Sequence, residues 1–237
     1  MLKIEHLTKK YGDKVAVDDL SLNIEAGEIY GFIGHNGAGK TTTIKSVVGI
    51  LEYDEGNIEI DGISVKDNPV ETKKRIAYIP DNPDLYNYMK GIQYLEFIAD
   101  IFEIGDTDRK EKIDHYSEVL GIRKDLGEYI SNYSHGMRQK LAIVGALIHD
   151  PKLIIMDEPF VGLDPVASHE LKQIMKNVCQ EGGCIFFSTH VLEVAEKLCD
   201  KVAIIKTGKI IKSGTMEEVK GDTSLETVFL ELEDKNV

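Results

Sequence analysis

The chain is short of cysteine, of basic charge and of long apolar runs, and each shortage excludes something. Its three cysteines, Cys179, Cys184 and Cys199, are an odd number at irregular spacing. They form neither a disulfide framework nor a zinc site, and they read as reduced packing residues. Lysine and arginine total 28 against 41 aspartates and glutamates, a formal charge of −13. No nucleic-acid partner is expected from that balance, because phosphate contacts supply most of such affinity. Docking on anionic lipid through charge alone is disfavoured for the same reason. No apolar run approaches the roughly 18 to 20 residues that cross a membrane. The first ten residues lack the apolar segment of a signal peptide. The chain is therefore expected to start and stay in the cytosol unless a partner holds it elsewhere. There is no internal repeat and no low-complexity tract.

What remains is the composition of a folded domain: 42% apolar and 29% charged over 237 residues. That length suits one large domain, or one domain with a small insert. Residues 3–7 and 15–24 carry short mixed apolar runs, and residues 28–33 read as a buried strand that enters a glycine-rich loop. A helix is expected over 41–48, strands over 57–60 and 75–79, and a hairpin signal at Asp61-Gly62. From about residue 84 to 146 the pattern turns helical and charged, as an insert would. Strands are then expected at 152–156, 184–187, 202–205 and 209–211, with helices over 166–178 and 193–198. Thr215 and Glu218 have capping-box spacing, and Leu225, Val228, Phe229 and Leu232 form a last apolar stripe. Strands alternating with helices imply an α/β fold with a mostly parallel sheet.

Gly34-His35-Asn36-Gly37-Ala38-Gly39-Lys40-Thr41 fits the pattern G-x-x-x-x-G-K-[ST], with a strand before it and a helix after. Glycines let successive N–H groups curl around one anion, and the following helix adds its positive end. Asn36, Gly37, Ala38, Gly39, Lys40, Thr41 and Thr42 are the expected phosphate cradle. Lys40 would reach the β- and γ-phosphates, and Thr41 would place its hydroxyl on Mg²⁺. His35 needs no catalytic role.

The apolar run 153–156 ends in Asp157-Glu158. A buried strand so delivers two carboxylates to the carboxyl edge of the sheet, where open α/β sheets bind ligands. Neighbouring strand residues point opposite ways, so the two acids can take separate jobs. Asp157 would hold Mg²⁺ and Glu158 would polarise the attacking water. His190 follows the next strand, in the run Ser188-Thr189-His190, where a γ-phosphate contact is expected.

These elements, in this order and with a helical insert between the first two, resemble the ATP-binding subunit of ABC transporters along essentially the whole chain. Tyr133-Ser134-His135-Gly136-Met137-Arg138-Gln139 is similar to that family's signature motif. The resemblance implies a P-loop NTPase core over 1–83 and 147–215 with an N-terminal antiparallel β subdomain. It implies an inserted α-helical subdomain over 84–146 and a C-terminal helical tail over 216–237. It places Tyr11 against adenine with Ala16 beside it, Asp157 on the metal and Glu158 as general base. It makes His190 the switch histidine and puts Gly162-Leu163-Asp164 at a dimer interface. Ser134 and Gly136 would act in trans, on ATP held by a second subunit. Two departures stand out. Asp81 occupies the usual place of a glutamine that helps hold Mg²⁺, and a carboxylate can ligate the ion but cannot donate an amide hydrogen bond. His135 and Met137 replace the usual glycine and glutamine of the signature. This variant, with Tyr78-Ile79-Pro80-Asp81, is similar to exporters of the ABC-2 type.

The implied partners are a second ATP-binding subunit and a separate integral membrane permease, received along 84–102 where Tyr86 and Tyr88 are the better contact residues. That places the chain at the cytoplasmic face of the membrane. The competing readings are a soluble ATPase acting on a ribosome or nucleic acid, and a regulatory module that closes on ATP without turnover.

Overall fold

The computed structural model describes residues 1–234. Strands β1 (Leu2–Tyr11) and β2 (Lys14–Ile24) form an antiparallel hairpin that turns at Gly12, whose φ of +57° suits glycine. β1 is longer than its short apolar run suggests, because register shifts let it continue past polar residues, whereas β2 nearly coincides with its own run. Strand β4 (Glu55–Ile60) pairs antiparallel with β1, and β5 (Ile63–Ser64) with β4, giving the order β2-β1-β4-β5.

The larger sheet is built from β3 (Ile29–Ile33), β6 (Ile76–Ile79), β7 (Leu153–Asp157), β8 (Cys184–Thr189), β9 (Lys201–Lys206) and β10 (Lys209–Thr215). Its order is β10-β9-β3-β8-β7-β6, parallel except for β10, as the alternating pattern implies. β3, β7 and β8 are buried from end to end, so both faces must be covered. Phe32, Ile155 and Phe186 point to one face, with Leu2, Ile4 and Ile58 of the small sheet and Ile44 of helix α1 (Lys40–Val47). Ile33, Met156 and Phe187 point to the other, where the remaining helices pack. The period of two thus serves two cores at once.

The region after β6 is helical: α3 (Gly91–Ile101), α4 (Asp106–Val119), two 3₁₀ turns at Arg123–Asp125 and Ile130–Asn132, then α5 (His135–Leu147). A short α2 (Pro69–Lys73) precedes it. Helices α6 (Pro165–Gln180) and α7 (Leu192–Leu198) connect the later strands. Helix α8 (Met216–Lys220) begins with the expected capping box, Thr215 Oγ1 accepting from the Glu218 N–H and Glu218 accepting from the Thr215 N–H. The C-terminal stripe is the buried face of α9 (Leu225–Asp234), with Leu225, Val228 and Phe229 inside. Residues 235–237 of the expected tail lie outside the described residues. All three cysteines are free and buried.

Candidate functional site

β3 ends under the glycine loop, and α1 begins at Lys40, one residue before the expected start. Two glycines here admit no other residue. A Cβ on Gly34 would lie 2.5 Å from the Ile205 carbonyl oxygen. A Cβ on Gly39 would lie 2.6 Å from the Ala16 carbonyl oxygen, and Gly39 also has φ +114°. The first N–H groups of α1 have no intrahelical acceptor, which leaves a positive, donor-rich end at the loop. The Ala38 N–H differs from the expected cradle, because it closes a turn onto the His35 carbonyl at 3.1 Å.

Lys40 folds back into the loop. Its Nζ donates to the Gly34 carbonyl at 2.6 Å and the His35 carbonyl at 3.3 Å. Burial lowers its pKa, and the nearby Glu158 and Asp157 carboxylates partly oppose that shift. Thr41 Oγ1 donates to Asp157 Oδ2 at 2.6 Å, joining residues 116 apart in the chain. Glu158 follows in a left-handed conformation, φ +50°. Its Oε1 lies 2.9 Å from His190 Nδ1 and 3.7 Å from Lys40 Nζ. Its Oε2 accepts the His190 N–H at 3.4 Å. One carboxylate therefore faces the loop lysine and the histidine of the next strand.

Lys40, Thr41, Asp157 and Glu158 border a cleft of about 480 Å³. Tyr11, Ala16, Asn36, Gly37, Gly39, Lys40, Thr41, Thr42, Asp81, Asp157 and Glu158 all line it. Lys14, Val15, His35 and Thr207 line it too, without having been singled out as contacts. Lys14 and Val15 adjoin Ala16 in β2, which was the available signal. Tyr11 is half exposed at the mouth. Thr41, Asp157 and Asp81 offer oxygen donors of the kind Mg²⁺ takes. Among the described residues no group of three or more His, Cys, Asp or Glu could hold a metal unaided. The chemistry of these oxygen donors, a hydroxyl and two carboxylates, fits a hard divalent cation.

Ala38, Ser134, Gly136, Asp164 and His190 do not line this cleft, His190 reaching it only through its contact with Glu158. Ser134 caps α5 by accepting the Met137 N–H, so the positive end of α5 opens at the signature segment. A Cβ on Gly136 would lie 2.6 Å from the Gly162 carbonyl oxygen, so this segment packs against the loop after Glu158. The His135 ring lies against Gly162 as well. Asp164 caps α6, accepting the Ala167 N–H at 2.9 Å, and pairs with Lys140 Nζ at 2.6 Å. Lys140 carried no sequence signal, because the pairing spans two helices.

The far end of α9 reaches the phosphate loop. The Phe229 ring meets His35 edge-on at 4.9 Å, and Lys206 Nζ donates to the Leu232 and Glu233 carbonyls. Along the insert, Tyr86 contacts the rings of Tyr88, Tyr94 and Phe97. Tyr86 and Tyr88 are exposed, whereas Tyr94 is largely buried.

A parallel sheet with β3 ending in this loop, a lysine folded into it and two acids at the end of β7, two strands away, defines a P-loop ATPase. The family model for ABC transporters matches residues 17–161. An ABC transporter ATP-binding protein of Bacillus subtilis, YhcH, is 37% identical over 98% of this chain and 75% of its own length. The bacitracin transport ATP-binding protein BcrA of Bacillus licheniformis is 37% identical over 93% of this chain and 71% of its own. A solved ATP-binding subunit of an ABC transporter superposes with a TM-score of 0.94 at 32% identity, covering 98% of this chain and 99% of that one. The chain belongs to the ABC transporter family, as an ATP-binding subunit of the ATPase class.

Proposed function

We propose that this chain hydrolyses ATP in a two-subunit sandwich and drives export through a separately encoded membrane permease of the ABC-2 kind. The observation that carries the chemistry is the placement of Glu158, whose carboxylate is 2.9 Å from His190 Nδ1 and 3.7 Å from Lys40 Nζ. Tyr11 and Ala16 hold the adenine. The loop amides from Asn36 to Thr42, apart from that of Ala38, and the Lys40 ammonium bind the phosphates. Lys40 already donates to two loop carbonyls, so phosphate needs only to replace those acceptors. Thr41, Asp157 and Asp81 would hold Mg²⁺, which supplies charge neutralisation on the phosphate oxygens when bound. Glu158 accepts a proton from the attacking water, and His190 fixes the carboxylate while reaching the γ-phosphate edge.

Ser134 and Gly136 act on the partner's nucleotide, with the α5 dipole aimed at phosphate. Gly162, Leu163 and Asp164 lie at the subunit interface, Asp164 through the helix end that it caps. The permease docks along 84–102, where the exposed Tyr86 and Tyr88 give an amphipathic surface. Among the described residues no helix is long and apolar enough to cross a membrane, so the permease supplies the span and holds this chain at the cytoplasmic face. The variants at Asp81, His135 and Met137 support the ABC-2 assignment.

Two measurements test this. Glu158→Gln should lower kcat by about 10²–10⁴-fold, the usual share of a general base, and leave an ATP-stabilised dimer visible by light scattering. Retained turnover removes the general-base role. A mild-detergent pull-down from native membranes should recover a stoichiometric multi-span protein after a salt wash. Recovery with ribosomes, or alone from the soluble fraction, removes the transport reading.

A further inference from the structure

One buried hydroxyl ties the two acids of the cleft together. Ser188 lies in β8 opposite Asp157 of β7, and it is fully buried. Its Oγ donates to Asp157 Oδ1 and accepts the Glu158 N–H at 3.1 Å. The single hydroxyl proton is committed to one acid, and a lone pair to the backbone of the other. Asp157 has its second oxygen on Thr41, so its carboxylate is held from both sides. Glu158 keeps φ +50°, a conformation that residues with a Cβ avoid, and the Ser188 hydroxyl is one of two acceptors on its N–H.

We propose that Ser188 is a positioning residue for ATP hydrolysis. Its hydroxyl sets the rotation of the Asp157 carboxylate, so that Oδ2 faces Thr41 and the divalent cation. It also anchors the turn that carries the Glu158 carboxylate to His190 and Lys40. The inference rests on the metal-binding and general-base roles proposed above for Asp157 and Glu158. Without the hydroxyl, Asp157 Oδ1 is left in a buried place with no donor from Ser188, and the carboxylate turns to find another. Cysteine donates too weakly to substitute, whereas threonine keeps the donor.

The test uses the full chain with Ser188→Ala, Ser188→Thr and Ser188→Val. Thr and Val have nearly the same shape, so their comparison isolates the hydroxyl even where the alanine variant folds poorly. A fluorescent ATP analogue is titrated in EDTA and then with Mg²⁺, and steady-state hydrolysis is measured beside it. Ser188→Val should bind the analogue in EDTA within about threefold of wild type, and need about 10–100-fold more Mg²⁺ for half-saturation, the range for losing a group that orients a metal ligand. Its kcat should fall by a similar factor with little change in KM. Ser188→Thr should restore both. Equal Mg²⁺ half-saturation and equal kcat for the Thr and Val variants would overturn the proposal, since a packing role alone does not tell them apart. Wild-type protein with no Mg²⁺-dependent turnover overturns instead the roles of Asp157 and Glu158 on which it rests.

Discussion

A close backbone approach in the phosphate loop makes a quantitative prediction for Gly39→Ala, with Gly37→Ala as its partner. Both glycines have positive φ, +114° at Gly39 and +83° at Gly37. Giving either one a side chain costs about 1–2 kcal/mol in backbone strain. The surroundings then separate them. A Cβ on Gly37 meets nothing within 4 Å, whereas one on Gly39 meets the Ala16 carbonyl oxygen at 2.6 Å and Ile205 Cδ1 at 3.3 Å. The oxygen belongs to the backbone of β2 and cannot rotate away. Relief must move that strand or the loop, which adds about 1–3 kcal/mol as overpacking does. At about 2–4 °C per kcal/mol for a chain of this size, Gly37→Ala should lower Tm by about 2–8 °C and Gly39→Ala by about 4–20 °C. Ala16 and Gly39 both line the nucleotide cleft, so Gly39→Ala should also weaken binding of a fluorescent ATP analogue by tenfold or more, about 1.4 kcal/mol. Thermal melts and nucleotide titrations read both effects. Equal Tm losses for the two variants, or a larger loss at Gly37, would refute the steric argument.

Two further predictions concern stability and reactivity. Asp164→Ala removes the α6 cap and should cost about 1 kcal/mol in urea unfolding at pH 7. The Lys140 ammonium and then the Ala167 N–H hold the Asp164 carboxyl below its usual range. Its contribution is thus present above the unfolded value near pH 4 and is lost as pH falls through the lower folded value. The stability gap between wild type and variant should therefore narrow on acidification, and a gap that widens contradicts the assignment. Burial pushes the Cys179 and Cys184 thiols up to about 12, and raises Cys199 further. Native protein at pH 8 should take up no iodoacetamide at these sites over an hour by intact mass, while urea-unfolded protein takes up three. Labelling at native conditions would show that the thiols are not enclosed.

The site was legible in the sequence to the extent that its parts are local. The phosphate loop is eight consecutive residues, and the acids are adjacent at the end of an apolar run. His190 was read as a strand-end histidine and, by resemblance, as the switch histidine, whereas its contact with Glu158 depends on β7 and β8 lying side by side. Helix caps were similarly readable, as Thr215 and Glu218 show, because a cap spans one turn. The long β1 was underestimated because pairing across register shifts, and not local apolar content, extends it.

By itself the sequence determined the alternation of strands and helices, the glycine loop and the acid pair. Each of these follows from backbone freedom, side-chain period or chemistry within a few residues. Only the tertiary structure decided which groups meet. It set the Ala16 carbonyl over Gly39, placed Thr41 against Asp157, spent the Asp164 carboxylate on α6 and Lys140, and brought Phe229 to His35. It also put the Ser188 hydroxyl between the two acids. Such contacts arise from sheet order and from helices crossing its faces, and no local rule relates residues that the chain keeps far apart.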